Sequence, residues 1–310
     1  MYALAQPPSQ PEGTLFSGDA LEVLPLLEAE SVDLVLTDPP YFLDGLDDAW
    51  NPGAVARRTR SQAVGHLPAG MRFDPEAGRR LQAWYGLVAK EVLRLLKPGG
   101  FFLSFASPRL AHRMAVAVED AGFWVRDVFL WVYKEGRAKG FSLERFAPEE
   151  DRQALRGWRT PQVRGNYEPI LVAQKPPEGT LVQNFLRHGV GLFNFQERLE
   201  GGRTPSNVLA TDSIENLPPI FLVPKPKKEE KGDYNFHPTV KPLALLRHLI
   251  RLTTKEGAVV LDPFLGSGST AVAALLEGRR YLGVEVNPEY LAVAQRRLAE
   301  LQHSLETGGA

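Results

Sequence analysis

Leu261-Asp262-Pro263-Phe264-Leu265-Gly266-Ser267-Gly268-Ser269-Thr270 decides the fold of this chain. An apolar run ends in an acid and a proline, two glycines follow, and Ser269 to Glu277 reads as a helix with small residues on every side. Strand, glycine turn and helix in that order form half of an α/β unit, and the helix start offers N–H donors to a carboxylate or phosphate. Tyr281 to Val284 reads as the next strand, and Glu285 stands at its end. Gly266, Gly268 and Ala271 fit the dinucleotide fingerprint, with the acid roughly 20 residues further on. A nicotinamide-dependent oxidoreductase is therefore one reading. A phosphate-cradling P-loop is excluded, because no lysine follows the last glycine.

The same alternation runs outward on both sides. Leu15 to Asp19 is a short strand ending in Gly-Asp, with Leu21, Leu24 and Leu27 on one face of a small helix that Asp19 could cap. Val32 to Leu36 is a second strand. The periodic spacing of Leu81, Trp84, Val88, Val92 and Leu95 predicts a helix from Glu76 to Leu96, stopped by Lys97-Pro98-Gly99-Gly100. Phe101 to Phe105 reads as a strand, Pro108 to Ala121 as a helix, Phe123 to Tyr133 and Tyr167 to Gln174 as further strands. Helices at Pro242 to Leu252 and Pro288 to Leu301 flank the strand Val259 to Leu261. This pattern predicts one α/β domain over residues 1–310, with a mostly parallel sheet covered by helices on both faces. Residues 42–75 read as a loop or lid, and 134–166 and 175–235 as insertions without clear period.

A second stretch carries chemistry. Thr37-Asp38-Pro39-Pro40-Tyr41 ends the strand Val32 to Leu36. Two prolines lock φ and leave carbonyls free, so Asp38 and the Pro39 carbonyl offer acceptors to an amino group while Tyr41 offers a flat face. A strand-ending turn is the alternative reading of those residues alone.

Composition bounds the rest. With 310 residues, 44% hydrophobic and 24% charged, the chain can bury a large core. A formal net charge of −1 means that a nucleic-acid partner needs a local basic surface. No apolar run approaches the ~20 residues of a membrane span, and Met1 to Glu12 lacks the regions of a signal peptide, so a cytoplasmic protein without membrane partners is expected. There is no cysteine, which removes thiolate metal sites and any thiol nucleophile. No metal is expected.

Thr37 to Tyr41, then His237-Pro238-Thr239-Val240-Lys241-Pro242, then Asp262 to Thr270 resemble, in that order, the motifs of the β-class DNA amino-methyltransferases, the N6-adenine and N4-cytosine methylases. The likeness implies a Rossmann-like, S-adenosylmethionine-dependent methyltransferase fold, circularly permuted so that the catalytic motif precedes the cofactor motif. It implies methyl transfer to the exocyclic amine of a base flipped out of duplex DNA, with Asp38, Pro39, Pro40 and Tyr41 at the base. It places Asp19, Thr239, Lys241, Asp262, Phe264, Gly266, Gly268, Ser269 and Glu285 around the cofactor, Glu285 on its ribose hydroxyls. Ring-carbon methylation of cytosine normally uses a cysteine adduct, which this chain cannot form. Arg57, Arg58, Arg60, Lys225, Lys227 and Lys228, with the Arg137 to Arg164 segment, are the basic, loop-borne candidates for phosphate contacts, and the likeness implies that the insertions 134–166 and 175–235 serve DNA recognition. Asp before Pro-Pro-Tyr goes mostly with adenine in that family. Adenine N6 is thus the expected acceptor, with cytosine N4 and a catalytically silent DNA-binding protein as alternatives. A cognate restriction enzyme and a second copy of the chain are the further partner expectations.

Overall fold

The computed structural model describes residues 13–41, 76–133, 140, 142–161, 163, 165–198, 202, 204–210, 221–222, 234–235 and 240–307. Among these residues nine strands form one sheet: β1 Gly13–Ser17, β2 Val32–Thr37, β3 Leu96–Phe105, β4 Trp124–Val132, β5 Tyr167–Gln174, β6 Val208–Ala210, β7 Phe221–Leu222, β8 Val259–Asp262 and β9 Arg280–Glu285. Their spatial order is β1-β9-β8-β2-β3-β5-β4-β6-β7. Every pairing is parallel except those of β5, which runs against both β3 and β4. The mostly parallel α/β expectation therefore holds, with one reversed strand inside it.

The helices are α1 Ala20–Val23, α2 Ala77–Leu95, α3 Ala111–Asp120, α4 Leu181–His188, α5 Leu243–Thr253, α6 Ser269–Leu276 and α7 Pro288–Glu306. Strand alternation divides the core in two. Leu34, Leu36, Phe101 and Leu103 pack on one face with residues of α5, α6 and α7. Val35 and Phe102 point the other way, onto Leu81, Tyr85, Val88 and Val92 of α2 and Met114 of α3. Burying each such side chain contributes roughly 1.5–3 kcal/mol, and sheets covered on both faces read as continuous apolar runs. The helix α2 turns slightly from the expected face: Tyr85 is fully buried, while Trp84 is half-buried at its flank.

The β3 strand extends further than expected, taking in Lys97 to Gly100. The expected insertion 175–235 adds structure of its own. Thr180 and Gln183 form a reciprocal capping box on α4, which ends at Gly189 in the left-handed region, and β6 pairs with β4. Among the described residues, no helix is long and apolar enough to cross a membrane.

Candidate active site

β8 continues to β9 on one side, and β2 continues to β3 on the other, so neighbouring β2 and β8 mark the point where the sheet changes direction. The crevice beyond the strand ends at such a point is where open α/β sheets bind ligands. Both motifs lie there. Thr37 Oγ1 donates to Asp262 Oδ1 at 2.6 Å, tying the end of β2 to the end of β8. Asp262 Oδ1 also accepts from the Phe264 N–H at 3.0 Å. Burial pushes the Asp262 carboxyl up to about 6, against the hydrogen bonds that would lower it. It braces the two motifs from below.

The glycine loop is pinned underneath by Arg297 of α7, whose buried guanidinium donates to Ser267 O at 2.7 Å and Ser269 Oγ at 3.1 Å. Gly268 has φ +83°, and a Cβ there would lie 2.8 Å from Ala294 Cβ, so this glycine answers to packing as well as to conformation. Gly266 donates its N–H to Glu285 Oε2 at 2.7 Å, while Glu285 Oε1 takes the Asn287 N–H at 2.8 Å. Burial pushes the Glu285 carboxyl up. Backbone donors from Gly266, Val286 and Asn287 fix the carboxylate, which keeps acceptor capacity for a hydroxyl donor. Asp19 stands one strand away at the end of β1, beside β9, and caps α1 by accepting from the Leu21 N–H at 2.8 Å. Phe264 is half-buried against Trp84, ring centroids 5.3 Å apart. Asp19, Glu285, Phe264 and the glycine loop therefore line one stretch of strand ends. That set fits a nucleoside whose ribose donates hydroxyl protons and whose base needs a flat apolar wall.

The catalytic candidates meet at the adjoining strand ends. Tyr41 Oη donates to Asp38 Oδ1, and Lys241 Nζ donates to Asp38 Oδ2. Lys241 also lies 3.3 Å from Glu168 Oε2 and 5.0 Å from the centre of the Phe105 ring. Pro39 is buried; Pro40 and Tyr41 are half-buried. Burial, with the Asp38 and Glu168 carboxylates, holds the Tyr41 phenol well above its ordinary value, so it stays a neutral donor. Burial alone would lower the Lys241 ammonium, but the same two carboxylates outweigh it and hold it up.

Lys241, expected beside the cofactor, thus sits on the carboxylate of the catalytic motif. Thr239, Arg57, Arg58, Arg60, Lys225, Lys227 and Lys228 lie outside the described residues. Glu168 and Arg297 were not singled out from the sequence, and Trp84 was read only as part of a helix face. The signal for Glu168 was an acid at the second position of an otherwise apolar strand. Among the described residues no cluster of His, Cys, Asp or Glu could hold a metal ion.

A family model described as DNA methylase matches residues 32–296. The chain is 30% identical to the type II methyltransferase M.HindIII of Haemophilus influenzae, over 92% of this chain and 94% of that one. It is 28% identical to the DNA adenine methyltransferase YhdJ of Escherichia coli K12, over 94% of this chain and 84% of that one. Among solved structures it is similar to the M1.HpyAVI–SAM complex, with a TM-score of 0.51 at 22% identity, covering 91% of this chain and 98% of that one.

Proposed function

The chain belongs to the DNA methylase family, and from that premise we propose that it transfers a methyl group from S-adenosylmethionine to adenine N6 of duplex DNA. The observation that carries this reading is the Thr37–Asp262 hydrogen bond, which joins an amine-binding motif to a glycine loop from the far end of the chain. The likeness to the DNA adenine methyltransferase YhdJ supports adenine, and the likeness to the M1.HpyAVI–SAM complex supports the cofactor.

Glu285, Asp19, Phe264 and the 266–269 loop would hold the cofactor. When bound, the cofactor would supply an electrophilic methyl group with a neutral thioether as the leaving group, and the amine nitrogen that accepts the methyl would give up one proton. The chain's own part is to position and polarise. An exocyclic amine has its lone pair delocalised into the ring, and hydrogen bonds to Asp38 and the Pro39 carbonyl hold it in a nucleophilic geometry. Asp38 receives the departing proton and passes it to water. Tyr41 keeps Asp38 oriented through its hydroxyl and presents its ring to the flipped base, whose extrusion costs about a few kcal/mol.

The reading includes a single catalytic domain, a loop or lid at 42–75, which lies outside the described residues, and phosphate contacts from the arginines and lysines at 57–60 and 225–228. It also includes a cytoplasmic setting, a restriction enzyme of matching specificity and a second copy of the chain as partners. An Asp38 acceptor could serve cytosine N4 equally, so the product decides the base. Incubation with methyl-labelled cofactor and mixed-sequence duplex, followed by mass analysis of nucleosides, should yield N6-methyladenine. Methylcytosine alone would overturn the base; no label in DNA despite measurable cofactor binding would overturn the activity.

A further inference from the structure

Lys241 is nearly buried, its side chain 9% exposed, and it faces two carboxylates from distant parts of the chain. Asp38 follows β2, and Glu168 opens β5, the reversed strand, whose start lies at the same sheet edge because Ile170 pairs with Phe105 at the end of β3. A buried ammonium requires one counter-charge. This one has two, and only Asp38 belongs to the motif that receives the amine.

We propose that Glu168 is a positioning residue for Asp38, acting through Lys241: it holds the ammonium as the substrate amine enters, and so releases Asp38 to the amine. The proposal deepens the reading of the site as an amine methyltransferase and rests on it. An ammonium has three donors, so Lys241 can keep Glu168 while letting go of Asp38. The three ionised groups together carry one negative charge. The amine nitrogen gains positive charge as its bond to the methyl forms, and the excess negative charge stabilises it. Without Glu168, Lys241 and Asp38 would make a neutral buried pair, and the amine would compete with an ammonium for the same oxygen. The Lys241 ammonium is also held up by both carboxylates, so it remains charged while it shifts between them.

The test uses duplexes carrying the site that the wild-type protein methylates, with S-adenosylhomocysteine present. Glu168→Gln should bind the duplex with its target adenine at least roughly tenfold more weakly than wild type. Its affinity for the same duplex with an abasic target, and for S-adenosylhomocysteine alone, should stay within about twofold. In turnover, kcat should fall without a matching rise in KM for the cofactor, and Glu168→Asp, which keeps the charge, should recover most of the loss. Adding Lys241→Met to Glu168→Gln should restore the preference for adenine over the abasic site, because the competing ammonium is gone. Equal weakening on both duplexes, or no restoration in the double variant, would overturn the proposal. If Glu168→Gln does not fold, Lys241→Met is compared with the double variant: equal preferences support the proposal, and a further loss in the double variant overturns it. A wild-type protein that leaves no methylated amine in DNA would instead remove the underlying reading.

Discussion

A cluster of charge lies at each end of α5, and the two clusters are built to different ends. Before the helix starts, Lys241 is one ammonium shared by Asp38 and Glu168. Along its second half, Glu197 takes four hydrogen bonds at 3.1 Å or less: three from the Arg251 guanidinium and one with buried His248. Arg251 reaches on to Glu277 at 2.7 Å, where Arg247 also ends. Burial pushes the Glu197 carboxyl up, but those hydrogen bonds outweigh it and bring it down to about 2. There, rigid forked donors saturate a carboxylate and leave it nothing to do. At the site, one flexible ammonium faces two acceptors, close on Asp38 and at 3.3 Å from Glu168, and the proposed role asks it to move from the first to the second. Both clusters are semi-buried ion networks, and only donor number and geometry tell the working one from the structural one.

Substitutions should separate them. The largest effect belongs to Asp38→Ala: methyl transfer should fall roughly a thousandfold or more, with affinity for S-adenosylhomocysteine within about tenfold. Labelled-methyl transfer and calorimetry measure the two, and a fully active variant would end the assignment of Asp38. Glu197→Gln should do the reverse. It leaves Arg251 and His248 short of a charge and should cost about 2–3 kcal/mol in urea unfolding, with methyl transfer unchanged at low temperature.

The pH dependence sharpens the contrast. Glu197 lies below its ordinary 4.5 when folded, so its stabilisation is present above about pH 4.5 and is lost as pH falls toward about 2. Wild type should show that acid limb in its melting temperature, and Glu197→Gln should lack it. Asp262 has the opposite sign: its folded value, about 6, lies above its ordinary 3.8, so its contribution is present below 3.8 and lost as pH rises through 6. Asp262→Asn keeps an acceptor for Thr37 and Phe264 and sheds the penalty. The smallest effect is therefore expected here, a change under roughly 1 kcal/mol at pH 7.5 in the stabilising direction. A large loss would mean that the brace depends on charge.

The sequence made the order of elements and both motif-bearing turns legible, because Asp38 and Gly266 to Ser269 sit where apolar runs stop. The Asp38–Lys241–Glu168 contact was not legible. It depends on β5 running backwards, and an apolar run such as Pro169 to Ala173 carries no sign of its direction. Helix α4 was read as loop although Thr180 and Gln183 stand at capping-box spacing and Leu181, Val182, Phe185 and Leu186 share one side, because eight residues are too short a run to set a period apart from the loop around it. The role of Gly268 was half legible: the turn announced a glycine, but its contact with Ala294 depends on how α7 crosses the loop.

The pairing of Gly13 with Tyr281 and Ser17 with Glu285 joins strands from opposite ends of the described chain. During synthesis at about 5–20 residues per second, β1 leaves the ribosome roughly tens of seconds before β9, its neighbour in the sheet among the described residues, exists. The strand that leads into Asp38, β2, can pair with β3, and β3 with β5, long before then. Asp19 and Glu285 become neighbours last, so the nascent chain passes through a stage in which the amine motif is assembled and the nucleoside crevice is not. The last strand made, β9, is thus the one that sets Asp19 and Glu285 side by side.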